Sequence, residues 1–296
     1  MNRRTRINKE PYLLLAPSFL LLLIFLAYPL FNSFYLAFHN YKLTQPGDTG
    51  FVGFANFSAV LADADFGMII KNSVLWVVLS VGAQFLLGFI LALALRKPFP
   101  GRNIYQAIVF LPWAVSSFVI GLTFQWMFNA EYGPINDLLL KMGLIDHSIH
   151  FLSDPNLSLY SVIITMAWYG VPFFAIMLLA AMQSIPEDLY EAAEIDGAGI
   201  VSKFWNITFS FIKPTIIMTV LLRTIWVFAS ADLIYIMTAG GPANSSNTLA
   251  SFMFMKANSA LDYGQAAAVG LFFMVLLILF SFIFLRLTNY EKAGNF

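Results

Sequence analysis

Ile185, Pro186, Glu187, Asp188, Leu189, Tyr190, Glu191, Ala192, Ala193, Glu194, Ile195, Asp196 and Gly197 form an acidic, helix-prone stretch between two long apolar runs, and its placement organises the rest of the chain. Pro186 followed by two carboxylates suits a helix start, because proline lacks an N–H that the first turn cannot use and the positive end of the helix dipole favours acids. Leu189, Ala192, Ala193, Ile195, Ala198 and Gly199 give the stretch a small, partly apolar side, with acids opposite it. Five acids precede the first base, Lys203. Helices that lie on a membrane surface usually turn Lys and Arg toward anionic lipid, so this composition favours docking to a protein over contact with lipid.

Outward from this stretch the chain becomes apolar. Of its 296 residues, 59% are hydrophobic and 11% charged, far from the roughly one-quarter charged makeup of soluble domains. Runs long enough to cross a hydrocarbon core, about 20 residues each, occur at 13–36, 73–95, 104–128, 158–182, 213–236 and 265–288. The expected fold is an all-α integral membrane protein with six transmembrane helices. The first run is too long for a signal-peptide core and is kept as a helix.

Basic residues orient these spans, because loops on the cytoplasmic side retain positive charge. With the N-terminus inside, that side holds Arg3, Arg4, Arg6, Lys9, Arg96, Lys97, Arg102, Lys203, Lys213, Arg286 and Lys292. The outer side holds Lys42, Lys71, Lys141 and Lys256, and Arg223 falls inside a span. Both termini are therefore expected in the cytoplasm, as tails over 1–12 and 289–296. The loop over 183–212 then faces the cytoplasm, where a soluble partner can reach it.

Several chemistries are excluded. A formal net charge of zero gives no footprint for nucleic acid. Without cysteine there is no disulfide, thiolate metal site or cysteine nucleophile. His39, His147 and His150 lie in loops without zinc-helix spacing. No span combines a serine with a basic partner, or a histidine with carboxylates, so neither a catalytic residue nor a metal ligand is assigned.

Arg223 is the ionisable group that a span must accommodate, and such a group marks a functional site by default. It lies near mid-membrane, with Trp226, Val227 and Ser230 at i+3, i+4 and i+7 on its face. Arginine, indole and hydroxyl on one stripe suit a sugar, which offers hydroxyls or carboxylates at its rim and an apolar ring face. In the fourth run, Gly170 and Pro172 interrupt Trp168 through Phe173, an arrangement tolerated where a helix lines a cavity or packs on neighbours. Asp232 lies about 180° around the helix from Arg223 and is expected to cap or to meet water.

The stretch around Glu191 resembles the cytoplasmic signature of permease subunits of ATP-binding-cassette importers, specifically the carbohydrate-uptake branch that includes maltose and glycerol phosphate permeases. Glu191, Ala192, Ala193, Gly197 and Ile207 match its spacing, whereas Phe209 and Ser210 stand where the pattern has Leu and Pro. Leu111, Pro112, Trp113, then Gly133, Pro134, Ile135, Asn136, then Trp168 through Phe173, and finally Thr238, Ala239, Gly240, Gly241, Pro242 with Asn244 and Ser245 agree in order. The resemblance covers a core over 70–288 and, weakly, the first helix.

The resemblance implies a type I importer permease fold in a bacterial inner membrane. It implies that the loop over 183–212, through Glu191, Ala192, Ala193, Asp196 and Gly197, inserts into a cleft of an ATPase and acts as a lever. It puts the substrate path at Tyr169, Phe173, Arg223, Trp226 and Ser230. Its partners would be a second homologous permease, two ATP-binding subunits, an extracytoplasmic solute-binding protein, membrane lipid and a carbohydrate, acidic or phosphorylated if Arg223 faces the path. No phosphate-binding loop is present, so the chain needs no cofactor of its own, with ATP and Mg held by the ATPase. A secondary, ion-coupled transporter is the alternative from physics alone, but neither mid-membrane acids nor inverted repeats are evident.

Overall fold

The computed structural model describes residues 10–288. Arg3, Arg4, Arg6, Lys9 and Lys292, with most of the tails expected over 1–12 and 289–296, lie outside the described residues. All regular structure among the described residues is helical, and the strand-like contacts are two isolated bridges, His39 with Phe51 and Lys42 with Asp262.

The chain divides into two compact units, one running to Asp63 and adding Met253–Phe272, the other holding Ala64–Phe252 and the residues from Phe273. In the first unit, α1 (Glu10–Leu22) and α2 (Tyr28–Ala37) join through a π-helical turn at Leu23–Ala27 into one apolar rod. No side chain of its most apolar window is buried within the chain, as befits a surface turned to lipid tails. α3 (Ala55–Leu61) closes the end of that rod: Asn56 Nδ2 donates to the Ala37 and His39 carbonyls, both at 2.9 Å. These are the terminal carbonyls that a helix cannot satisfy itself.

The second unit begins with α4 (Phe66–Arg96), which stops where Lys97 turns extended before Pro98, as the residue before a proline tends to. α5 (Arg102–Ala114) and α6 (Ser117–Met127) follow, then α7 (Pro134–Lys141), α8 (Ser158–Gln183), α9 (Asp188–Ile195) and α10 (Ile200–Lys203). A π-helical turn at Phe204–Phe209 leads into α11 (Ser210–Ala229), and α12 (Asp232–Thr238) comes after it. α13 (Leu249–Asn258) and α14 (Tyr263–Thr288) end the described chain, and each has residues assigned to both units. α4 packs along α8, and α11 packs on both. Their shared core holds Trp76, Phe173, Phe174, Leu178 and Ile212.

Gly88 makes the α4–α8 approach close. A Cβ there would sit 2.6 Å from Phe174 Cβ and 2.9 Å from the Val171 carbonyl oxygen. Small residues permit such backbone proximity where lipid provides no hydrophobic drive for helix association.

Among the described residues, five helices are long and apolar enough to span, and the number is six if a bent pair counts as one span. Two expected boundaries change. The run at 104–128 is α5 and α6, bent by 95°. Pro112 near the end of α5 and Ser116, whose Oγ accepts from Val119 N–H at 3.4 Å, stop one helix and start another. The span expected over 213–236 runs instead over Ile200–Ala229. At its end Ser230 Oγ donates to Asp232 Oδ1 at 2.5 Å, a local bond of the kind that competes with helix continuation.

Candidate functional site

Within the second unit, α4, α8 and α11 bring four side chains together. Arg223 is 4% exposed, and its Nε donates to Gln84 Oε1 at 2.6 Å. Gln84 is itself fully buried and donates from Nε2 to the Met166 carbonyl at 2.9 Å. The guanidinium carbon lies 5.6 Å from the Phe173 ring centre, and Phe173 in turn lies 5.5 Å from the ring of Trp226. Nη2 of Arg223 has no hydrogen-bond partner. Among the described residues no carboxylate pairs with this cation. A buried guanidinium satisfied on one side by a neutral amide keeps donors for an acceptor from elsewhere, because leaving a buried charge unpaired costs several kcal/mol.

Of the five expected path residues, Phe173, Arg223 and Trp226 thus form one cluster. Tyr169 lies one turn from Phe173 on α8 and is half-buried. Ser230 is elsewhere, past the end of α11 and bonded to Asp232. Asp232 stands in the first turn of α12. Gly170 and Pro172 do not interrupt α8, which is continuous through both. Gly170 instead provides room: a Cβ there would overlap the Gln84 side chain and Arg223 Nη2. Gln84 was missed in the sequence, although a lone amide in the apolar run of α4 is the kind of signal that finds such a partner.

The loop between α8 and α11 has its own geometry. α9 ends in a left-handed residue, Gly197, with φ +74°. Ala198 N–H reaches the Ala193 carbonyl at 2.8 Å, and Gly197 N–H reaches that of Glu194 at 3.0 Å. This pair of bonds is the glycine-dependent Schellman closure. Glu191, Ala192, Asp196 and Gly197 are exposed and Ala193 is half-buried. Ile195 at 88% and Ile200 at 84% exposure leave an apolar surface uncovered. Lys203 Nζ donates to Glu194 Oε1 at 2.6 Å and holds that carboxyl below its usual range.

The family model for the inner membrane component of binding-protein-dependent transport systems matches residues 84–290. The chain belongs to this family. It is 34% identical over 275 residues to the sulfoquinovosyl glycerol transport system permease of Agrobacterium fabrum, covering 93% of this chain and 89% of that one. It is 32% identical over 284 residues to the trehalose/maltose transport system permease MalF of Thermococcus litoralis, covering 96% and 95%. A crystal structure of a bacterial ABC transporter involved in import of the acidic polysaccharide alginate superposes with a TM-score of 0.82 at 25% identity, covering 94% of each chain. The chain is therefore a multi-pass permease subunit, a transport component and not a catalytic one. The ion-coupled alternative has no support.

In the permease, the segment from the end of α12 to the start of α13 is tied to α4 and its N-cap by hydrogen bonds. Asn72 Nδ2 donates to the carbonyls of Ser245 and Asn247 at 2.9 and 3.1 Å, and Asn244 Nδ2 donates to Asp65 Oδ2 at 2.6 Å. Leu249 N–H donates to Ser73 Oγ at 2.8 Å. Gly240 admits the Asn247 side chain where a Cβ would overlap it. A cavity of about 820 Å3 opens beside the ends of α6 and α12, lined by Gln125, Asn129, Tyr132, His150 and Tyr235 among others, and contains none of the expected path residues. Among the described residues no group of three or more His, Asp or Glu gathers to hold a metal.

Proposed function

We propose that the permease carries a carbohydrate across the bacterial inner membrane within an ATP-driven importer. Its partners are a second homologous permease, two ATP-binding subunits that hold ATP and Mg, and a solute-binding protein on the outer side. Both termini and the loop over 183–212 face the cytoplasm, where Glu191, Ala192, Ala193, Asp196 and Gly197 contact the ATPase. The exposed Ile195 and Ile200 beside acidic α9 support a protein cleft as the acceptor of that loop. The named substrates of the relatives, sulfoquinovosyl glycerol, trehalose, maltose and alginate, support the sugar class.

One observation carries the substrate reading furthest: Arg223 is buried in a span with a free Nη2, a neutral partner at Nε and the Phe173 ring beside it, with Trp226 packed against that ring. The guanidinium gives paired donors to an anionic group, and Phe173 and Trp226 give flat faces to sugar rings. The substrate is therefore an acidic or phosphorylated carbohydrate.

Arg223→Gln in the assembled transporter should reduce uptake of the anionic substrate by about 10-fold or more, as expected for loss of a charge-assisted contact. ATPase assembly should be unaffected. Unchanged uptake would remove Arg223 from the path.

A further inference from the structure

Resting on the reading of α9 as the ATPase-coupling element, we infer that Arg96, Tyr190 and Thr208 form the linkage through which a displacement of α9 reaches the membrane helices. Tyr190 projects from α9 and is half-buried against the core of the second unit, whereas Glu187, Asp188, Glu191, Ala192, Glu194 and Ile195 are exposed. Its hydroxyl meets Thr208 Oγ1 at 2.9 Å. Arg96 lies with its guanidinium carbon 4.5 Å from the Tyr190 ring centre, and its Nη1 donates to the same Thr208 Oγ1 at 3.4 Å.

The three residues close a ring, and each belongs to a different element. Arg96 is the last residue of α4, where the negative end of the helix dipole favours a cation. Thr208 is 1% exposed and lies in the π-helical turn that leads into α11, within the span over Ile200–Ala229. Tyr190 belongs to α9. A hydroxyl provides one donor and two acceptor positions, so Thr208 Oγ1 serves both partners at once. Other ties from α9 stay local: Lys203 bridges Glu194 to α10, which is the next element in the chain. The ring therefore connects α9 to the ends of two helices, α4 and α11, that carry Gln84 and Arg223.

The three are positioning residues, and their role separates from docking and from simple stability. The test uses the whole reconstituted transporter with its ATPase subunits and binding protein, and reads ATP hydrolysed per solute imported. Tyr190→Phe keeps the ring over Arg96 and removes the hydroxyl bond; Thr208→Val removes the shared oxygen. Each should raise the ATP-to-solute ratio about threefold to tenfold, the range expected from one lost buried hydrogen bond, while ATPase association stays intact. The double variant should be little worse than either single one, as residues of one network are non-additive. Thr208→Ser, which keeps the oxygen, should restore the ratio.

A purely structural pin would lower transport and ATPase activity together and leave the ratio unchanged; that outcome overturns the inference. The docking reading fails by a different result, namely ATPase association that survives deletion of 187–199.

Discussion

At the residue scale, the cluster depends on empty volume as much as on functional groups. Gly170 leaves room for Gln84 and Arg223 to meet beside α8, so Gly170→Ala should displace the guanidinium. Solute uptake should fall at least as far as in Arg223→Gln, with yield and ATPase association retained; normal uptake in Gly170→Ala would show that the close approach has no role in transport. Gly197 has the opposite kind of need. Its φ of +74° costs a side-chain-bearing residue roughly 1–2 kcal/mol, so Gly197→Val should fray the end of α9 and weaken ATPase association, while Gly197→Asn should be tolerated better. Titrating association with purified ATPase distinguishes the two. Gly197 could be placed from its spacing to Glu191, yet the reason for Gly170 could not, because a contact among three helices has no local periodicity.

At the scale of elements, the α4–α8 seam and the ion pair beside α9 are the testable parts. Gly88→Leu inserts atoms where 2.6 Å separates a modest Cβ from Phe174 Cβ. It should cost about 1–3 kcal/mol, read as a lower midpoint of thermal unfolding in detergent, and the same change at half-buried Gly82, with nothing within 4 Å of its Cβ position, should cost far less.

Glu194 is held below its ordinary 4.5 by Lys203. A carboxylate with a lowered folded-state value contributes fully above the unfolded value and loses that contribution as pH falls through the lowered one. The α9–α10 tie should thus be unchanged from pH 8 to 5 and weaken only in more acidic buffer, and added salt should weaken it at every pH because its Glu194 end is exposed. Proteolytic nicking of the loop against pH measures it.

The helices themselves were readable from apolar runs. The bend between α5 and α6 and the end of α11 were not, because a window of hydrophobicity averages over Ser116 and Ser230, whose single hydroxyls redirect the chain.

At the scale of the whole molecule, the asymmetry of basic residues predicts which loops face which side. The chain has no cysteine, so single substitutions create unique labels without a background to remove. Lys97→Cys should react with a membrane-impermeant maleimide only after cells are opened, and Lys141→Cys should react in intact spheroplasts. The reverse pattern inverts the orientation and detaches the loop over 183–212 from a cytoplasmic ATPase. The spans and the family were legible because apolar runs and short motifs are both local in sequence. The partner of Arg223 was not: Gln84 is 139 positions away, and nothing short-range joins the two.

Those separations also set a timetable for biosynthesis. α4 enters the bilayer carrying Asn72 and Gln84, whose acceptors and donors belong to chain not yet made: Asn72 waits for the Ser245 carbonyl, 173 residues later. At about 5–20 residues per second the ribosome needs roughly 10–35 s to deliver it. Through that interval Asn72 lacks its final acceptor, and for most of it Gln84, within the apolar run and so in a non-aqueous medium, lacks Arg223, so ribosomes stalled before residue 245 should leave a fragment that membrane proteases clear far faster than the finished chain.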